Sequence, residues 1–186
     1  TDQDLDGSHI KGLCVNMFHS LWNDLLKIPK FLGFMNTPIL KAKKGKKELK
    51  FYNDGEIEIW KEKKNIKGWK MKYYKGLGTS TAKEFKEYFA EKKIVHFKFT
   101  PESDDSLDLV FNKKRSDDRK IWLSNYDRRA VLDTNKSLVS YDDFINREMI
   151  HFSKYDCERS IPNLMDGWKI SQRKAAFSAF KRKLYS

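Results

Sequence analysis

Three observations predict a mixed α/β fold. Asp2, Asp4 and Asp6 alternate within the first seven residues and run through Gly7 directly into a long amphipathic stretch. Val95, Phe97 and Phe99 alternate with His96 and Lys98, the pattern of a half-buried strand. Thr81-Ala82-Lys83-Glu84 carries the S/T-x-x-E signature of a helix start, and Ser140-Tyr141-Asp142-Asp143 is a variant of it. An α/β fold places a site beyond the carboxyl end of a strand, so the acids before a helix fit that class. The strand in question would precede Thr1, and there is no initiator Met, so the chain reads as a fragment.

The elements follow in order. Residues 8–26 predict a helix with Ile10, Leu13, Cys14, Met17, Phe18, Leu21, Trp22 and Leu25 on one broad buried face. Pro29 ends it. Residues 34–42 read as a strand, 43–47 as a Lys-rich turn and 48–52 as the hairpin partner. That turn is either a solvated hairpin tip or a phosphate contact. Residues 54–64 predict a short amphipathic helix and 69–74 a strand, which runs into Lys75-Gly76-Leu77-Gly78-Thr79-Ser80. This loop lacks the G-x-x-x-x-G-K-[ST] pattern of nucleotide-binding loops. Its glycines before a helix suit either a phosphate or a plain turn. Residues 101–108 read as an acidic loop, and a helix is expected to start at Asp117 within the basic stretch 112–125. A further helix is expected from Ser140 to about Ser160, broken at Ile161-Pro162, with a last basic helix starting near Lys169 to Ser171.

Composition limits the function. With 38 Lys and Arg against 26 Asp and Glu, the net charge is +12, which favours a polyanionic partner: nucleic acid or an anionic membrane surface. No apolar run is long enough to span a membrane, and there is no signal peptide. Two cysteines make neither a disulfide framework nor a zinc site. His9, His19, His96 and His151 have no metal-ligand spacing and read as packing or surface residues.

The acidic cluster is the candidate site. Closely spaced carboxylates repel one another, and a hard divalent cation such as Mg²⁺ offsets that repulsion. A solvated acidic turn is the plainer alternative. The calcium-binding EF-hand loop begins the same way but needs Glu at its twelfth position, where this chain has Leu13.

Taken together, several stretches resemble the eukaryotic-type, single-chain type IIA DNA topoisomerases. They are Thr1-Asp2-Gln3-Asp4-Leu5-Asp6-Gly7-Ser8-His9-Ile10-Lys11-Gly12-Leu13, Tyr73-Tyr74-Lys75-Gly76-Leu77-Gly78-Thr79-Ser80 and Asp117-Asp118-Arg119-Lys120 with Trp122-Leu123. Asp143-Phe144-Ile145-Asn146, Arg159-Ser160-Ile161-Pro162 and Asp166-Gly167-Trp168-Lys169 with Gln172-Arg173-Lys174 follow in family order. Bacterial gyrase-type enzymes divide the acidic motif and the last segment between two chains; here they share one.

The resemblance implies a division of the chain. Residues 1–40 would be the C-terminal part of a Rossmann-like TOPRIM core, and 41–135 the remainder of the TOPRIM-bearing region. Residues 136–160 would form a connecting helix, and 161–186 the start of a winged-helix cleavage domain. It also implies an ATP-dependent enzyme that cuts both strands of duplex DNA through phosphotyrosyl links and passes a second duplex. Asp2, as catalytic and metal-binding residue, would act with Asp4 and Asp6 in a two-metal Mg²⁺ site. Arg119, Lys120, Lys169 and Arg173 would contact the DNA backbone, with Lys75 as a further candidate. ATP would bind elsewhere in the full-length enzyme, a homodimer working in the nucleus or encoded by a virus, with no membrane partner. The family's general-acid Glu and nucleophilic Tyr fall outside these residues, and Tyr185 lacks the nucleophile's context. Ile170 and Ser171 depart from the family's usual Pro and Gly, and the stretch between Asp127 and Ser140 is shorter than in some relatives. A TOPRIM-type Mg²⁺-dependent nuclease or primase, and a DNA-binding module without chemistry, are the competing readings.

Overall fold

The computed structural model describes residues 4–63, 66–74 and 77–184. Its elements are α1 (Leu5–Lys27), β1 (Gly33–Met35), β2 (Leu40–Lys44), β3 (Lys47–Phe51), α2 (Asp54–Lys63), β4 (Lys70–Tyr73) and α3 (Ala82–Glu91). These are followed by β5 (Ile94–Lys98), α4 (Ser103–Phe111), α5 (Ser116–Ser124) and β6 (Leu138–Ser140). The chain then runs through α6 (Tyr141–Phe144), a π-helical turn (Ile145–Met149), α7 (Ile150–Ser160) and α8 (Ile170–Lys181). The fold is mixed α/β, as expected.

Among the described residues there are two three-stranded sheets. In the first, β5 is central, with β1 antiparallel on one side and β6 parallel on the other. The parallel partner is reached through α4 and α5, the long crossover that parallel pairing demands. Strand alternation buries Val95 and Phe97 against Val15, Leu107, Phe144, Ile145 and Met149 from the helices. Phe97 stacks on Tyr141 with ring centroids 4.8 Å apart. In the second sheet β2 lies between β3 and β4, both antiparallel to it. Leu40, Ala42 and Phe51 pack there on Ile57 and Trp60 of α2.

Several sequence expectations need correction. The single strand expected at 34–42 is two strands in different sheets. Pro38, which has no N–H to offer a ladder, lies in the crossing between them. The acidic loop expected at 101–108 is mostly helix. Asp104 and Asp105 occupy the first turn of α4, where the helix dipole favours negative charge. Leu107 is fully buried there, and Ser106 donates to Asp142 across 2.7 Å. Strand β6 has no counterpart among the sequence expectations, because three residues carry too little pattern.

Helix α1 starts at Leu5 because Asp4 caps it. Its buried line is Ser8, Gly12, Val15 and Leu26, with Phe18 packed beside them, narrower than the face expected. A Cβ at Gly12 would come within 3.0 Å of the Met149 sulfur, so glycine lets the two elements touch. Six of the eight residues expected on the buried face are exposed: Cys14, Trp22, and Ile10, Leu13, Met17 and Leu21, which are 46–62% exposed and form a second apolar stripe. No described helix is long and apolar enough to cross a membrane.

Candidate functional site

The acidic segment is fastened to the far end of the chain. Asp4 is the N-cap of α1, and its Oδ1 accepts the Gly7 N–H at 2.8 Å. Asp6 lies in the first turn and accepts from Arg159 of α7, with Nη2 at 2.8 Å and Nη1 at 3.3 Å. Arg159 is also held by Asp156 at 3.0 Å and lies against the Tyr155 ring. Hydrogen bonds from Arg159 to Asp6 and Asp156 keep the guanidinium firmly protonated. One turn on, the His9 ring stacks on Phe152 at 4.1 Å. Ser8 Oγ and Lys11 Nζ then donate to Glu148 Oε1 at 2.7 and 2.6 Å. Lys11 Nζ lies 3.7 Å from the centre of the Phe34 ring, so its charge is met from two sides.

Glu148 sits in the π-helical turn, where an extra residue per turn turns side chains off their α-helical course; such turns cluster at functional sites. Sequence reasoning missed this residue. Its partners lie 137 and 140 positions away, and no local pattern announces them.

The donor chemistry of the acidic segment fits a hard cation. Asp4 spends one oxygen on its cap and keeps the other, whereas both oxygens of Asp6 face Arg159. Among the described residues no three His, Cys, Asp or Glu side chains come together as a metal site. Asp2 and Lys75 lie outside the described residues. Among the described residues, the partner of Asp6 is Arg159.

The basic candidates have different surroundings. Arg119 on α5 is turned inward, and its Nη1 donates to the carbonyls of Leu109 at 3.1 Å and Asn112 at 2.6 Å. Those carbonyls end α4, where backbone acceptors lack helical partners. Lys120 is exposed and bonds to Asp117 at 2.7 Å, a pair that holds the Asp117 carboxyl below its ordinary value. Lys169 precedes α8, and its backbone N–H donates to Gln172 Oε1 at 2.7 Å. Arg173 reaches back to Asp166 at 2.6 Å and ties the 163–168 loop to the start of α8. Gly167 turns that loop with φ at +70°. Lys169 and Arg173 thus share one end of α8, well along the chain from Arg119 and Lys120.

The Gly-rich loop leads through a 3₁₀ turn at Leu77–Thr79 into α3, whose capping box is present as expected. Thr81 Oγ1 accepts the Glu84 N–H, and Glu84 Oε2 accepts the Thr81 N–H at 2.8 Å. Glu84 does more than cap. Tyr74 donates to it through a very short bond, Lys72 donates at 2.9 Å, and Lys41 lies 3.5 Å away. Burial pushes the Glu84 carboxyl up, but the Thr81 N–H, the Tyr74 hydroxyl and Lys72 together hold it well below the usual range.

A family model for the C-terminal associated domain of TOPRIM matches residues 35–157. The chain belongs to this family. Its position within TOPRIM proteins agrees with a wider similarity. The chain is 53% identical to DNA topoisomerase 2 of Plasmodium falciparum over 187 residues, which covers 99% of this chain and 13% of that protein. Against human DNA topoisomerase 2-beta it is 52% identical over 198 residues, with 98% of this chain and 12% of that protein covered. The Arabidopsis thaliana DNA topoisomerase 2 is 51% identical over 189 residues, covering 98% and 13% respectively. Among solved structures, the Plasmodium falciparum topoisomerase II DNA-binding, cleavage and re-ligation domain superposes with a TM-score of 0.86 at 52% identity. That match covers all of this chain and 26% of the other. This TOPRIM-associated chain therefore spans only 12–13% of the length of the curated relatives it matches.

Proposed function

We propose that the chain is part of an ATP-dependent type IIA DNA topoisomerase, supplying metal ligands and backbone contacts at its DNA-cleavage centre. One observation carries this reading: about half of the residues match DNA topoisomerase 2 along almost the whole chain, with the fold matched as well. Asp2, Asp4 and Asp6 are the proposed metal ligands. A bound Mg²⁺ would stabilise negative charge on the oxygen leaving the cleaved phosphodiester. Arg119, Lys120, Lys169, Arg173 and Lys75 are assigned to phosphates. For Arg119 the contact requires that the guanidinium keep some donors free while others hold the end of α4. Asp6 reaches a metal only by releasing or sharing Arg159.

Residues 1–40 belong, on this reading, to a TOPRIM core whose other elements cover the exposed stripe of Ile10, Leu13, Met17 and Leu21. Residues 41–135 complete that region, 136–160 connect, and 161–186 open a winged-helix domain. ATP hydrolysis, the nucleophilic Tyr and homodimerisation belong to the longer protein, which would act in the nucleus on double-stranded DNA.

Replacing Asp2 and Asp4 by Ala in the longer protein tests the assignment. Lost plasmid cleavage with retained DNA binding is expected; unchanged cleavage would remove the metal role. The same experiment separates the enzyme from a DNA-binding module without chemistry.

A further inference from the structure

The second sheet has one apolar face and one charged face, and the charged face is neutralised at one end only. Leu40, Ala42 and Phe51 point to α2, so alternation turns Lys41, Lys43, Glu48, Lys50, Lys70 and Lys72 to the other side. Helix α3 lies over part of that side with a row of acids. Glu84 holds Lys41 and Lys72, Glu87 holds Lys41 at 3.8 Å, and Glu91 holds Lys50 at 3.5 Å.

Beyond α3 the pattern changes. Lys43 is paired in register with Lys70 on the charged face, Lys44 with Lys47 on the opposite face, and Lys46 sits in the turn between β2 and β3, so the lysines ring the end of the sheet. All five are exposed, and among the described residues none has a carboxylate within ion-pair distance. Glu48, opposite Lys43 in the register, is the acid among them. Two turns build this edge together. Gly45 adopts φ +58° at the hairpin tip and Gly68 φ +85° before β4, and Lys44 Nζ donates to the Lys67 carbonyl at 3.2 Å. Like charges directly opposite in a sheet are destabilising, yet the fold brings Lys43 and Lys70, and Lys44 and Lys47, into register with Glu48 as the one acid in register beside them.

We propose that this edge, formed by Lys43, Lys44, Lys46, Lys47 and Lys70, binds the phosphate backbone of duplex DNA. It is separate from the acidic motif and from Arg119, Lys120, Lys169 and Arg173. The proposal rests on the reading that the protein acts on DNA. On the apolar face Leu40, Ala42 and Phe51 are buried under α2 while Met71 and Tyr73 are exposed, so an anionic lipid surface is the competing polyanion and vesicle binding is an arm of the test.

The test is binding of the protein to a short labelled duplex by fluorescence anisotropy across a salt series. The variant carries Lys43→Gln, Lys46→Gln, Lys47→Gln and Lys70→Gln, with circular dichroism to check the fold. Each lost phosphate contact lowers the slope of log affinity against log salt by about 0.9, so a fall of about 2 to 4 is expected, equal for unrelated sequences. An unchanged slope in a folded variant overturns the proposal. So does binding to phosphatidylserine vesicles that the variant loses while its DNA slope stays the same. If Asp2 and Asp4 prove dispensable for cleavage but the slope still falls, the edge stands and the metal reading fails. If the parent protein does not bind DNA, both fall.

Discussion

Glu84 illustrates how one side chain can be asked to do several things. The sequence marks it as the far half of a capping box, and the structure adds Tyr74, Lys72 and Lys41 around the same carboxylate. Because these partners hold its folded pKa below the unfolded value of about 4.3, its contribution is complete above that pH and is lost on acidification toward the folded value. Glu84→Gln should therefore be less stable than the parent near pH 6, and the gap should narrow progressively as pH falls below about 4. Urea midpoints across that range measure it, and a gap that stays constant with pH would rule the account out. Other depressed acids, Asp104, Asp117 and Asp156, keep some acid sensitivity in the variant. Arg119 teaches the opposite lesson. Its motif context resembles a phosphate contact, whereas its Nη1 is committed to two carbonyls ending α4. Apart from the Thr81 cap of Glu84, these partners are not visible in a linear sequence.

At the level of elements, the clamp between α1 and the 145–160 region organises the candidate site. Asp6 to Arg159, His9 to Phe152, and Ser8 with Lys11 to Glu148 are successive fastenings along one helix face. The Lys11–Glu148 pair is mostly buried, with 11% and 18% of the side chains exposed. Removing one member of a buried pair strands the other charge. Glu148→Ala should then lose roughly 3–5 kcal/mol of stability, and Glu148→Leu with Lys11→Met should recover most of it. Chemical denaturation of the single and double variants reads this directly; equal losses in both would mean that packing, not charge, holds the clamp. Elements with local signals were legible. The Thr81 and Ser140 caps are plain in the sequence, as is the break after Ser160. Helix α4 is not, because its acidic surface conceals an inner line of Ser103, Ser106 and Leu107 that packs as a helix face.

Across the whole molecule, charge and core are distributed unevenly. A net charge of +12 repels itself, most of all where lysines are paired in register on the second sheet. Added chloride shortens the Debye length from about 30 Å at 0.01 M to about 8 Å at 0.15 M. The melting temperature should rise over that range, and a fall would mean that exposed ion pairs such as Arg115 with Asp105 and Asp118 outweigh the repulsion. Two separate cores, one on each sheet, carry the apolar burial. The exposed stripe on α1 belongs to neither.

By itself, the sequence determined the fold class, most helix boundaries, the basic character and the ordered motifs that resemble type IIA topoisomerases. All of these rest on local spacing or on composition, which a linear chain expresses directly. Only the tertiary structure decided that Asp6 meets Arg159, that Glu148 anchors Lys11, and that one end of a lysine face is covered by acids while the other is left open. Each depends on strand register or on contacts between residues more than a hundred positions apart, and the free energy of such contacts exists only once the chain has folded.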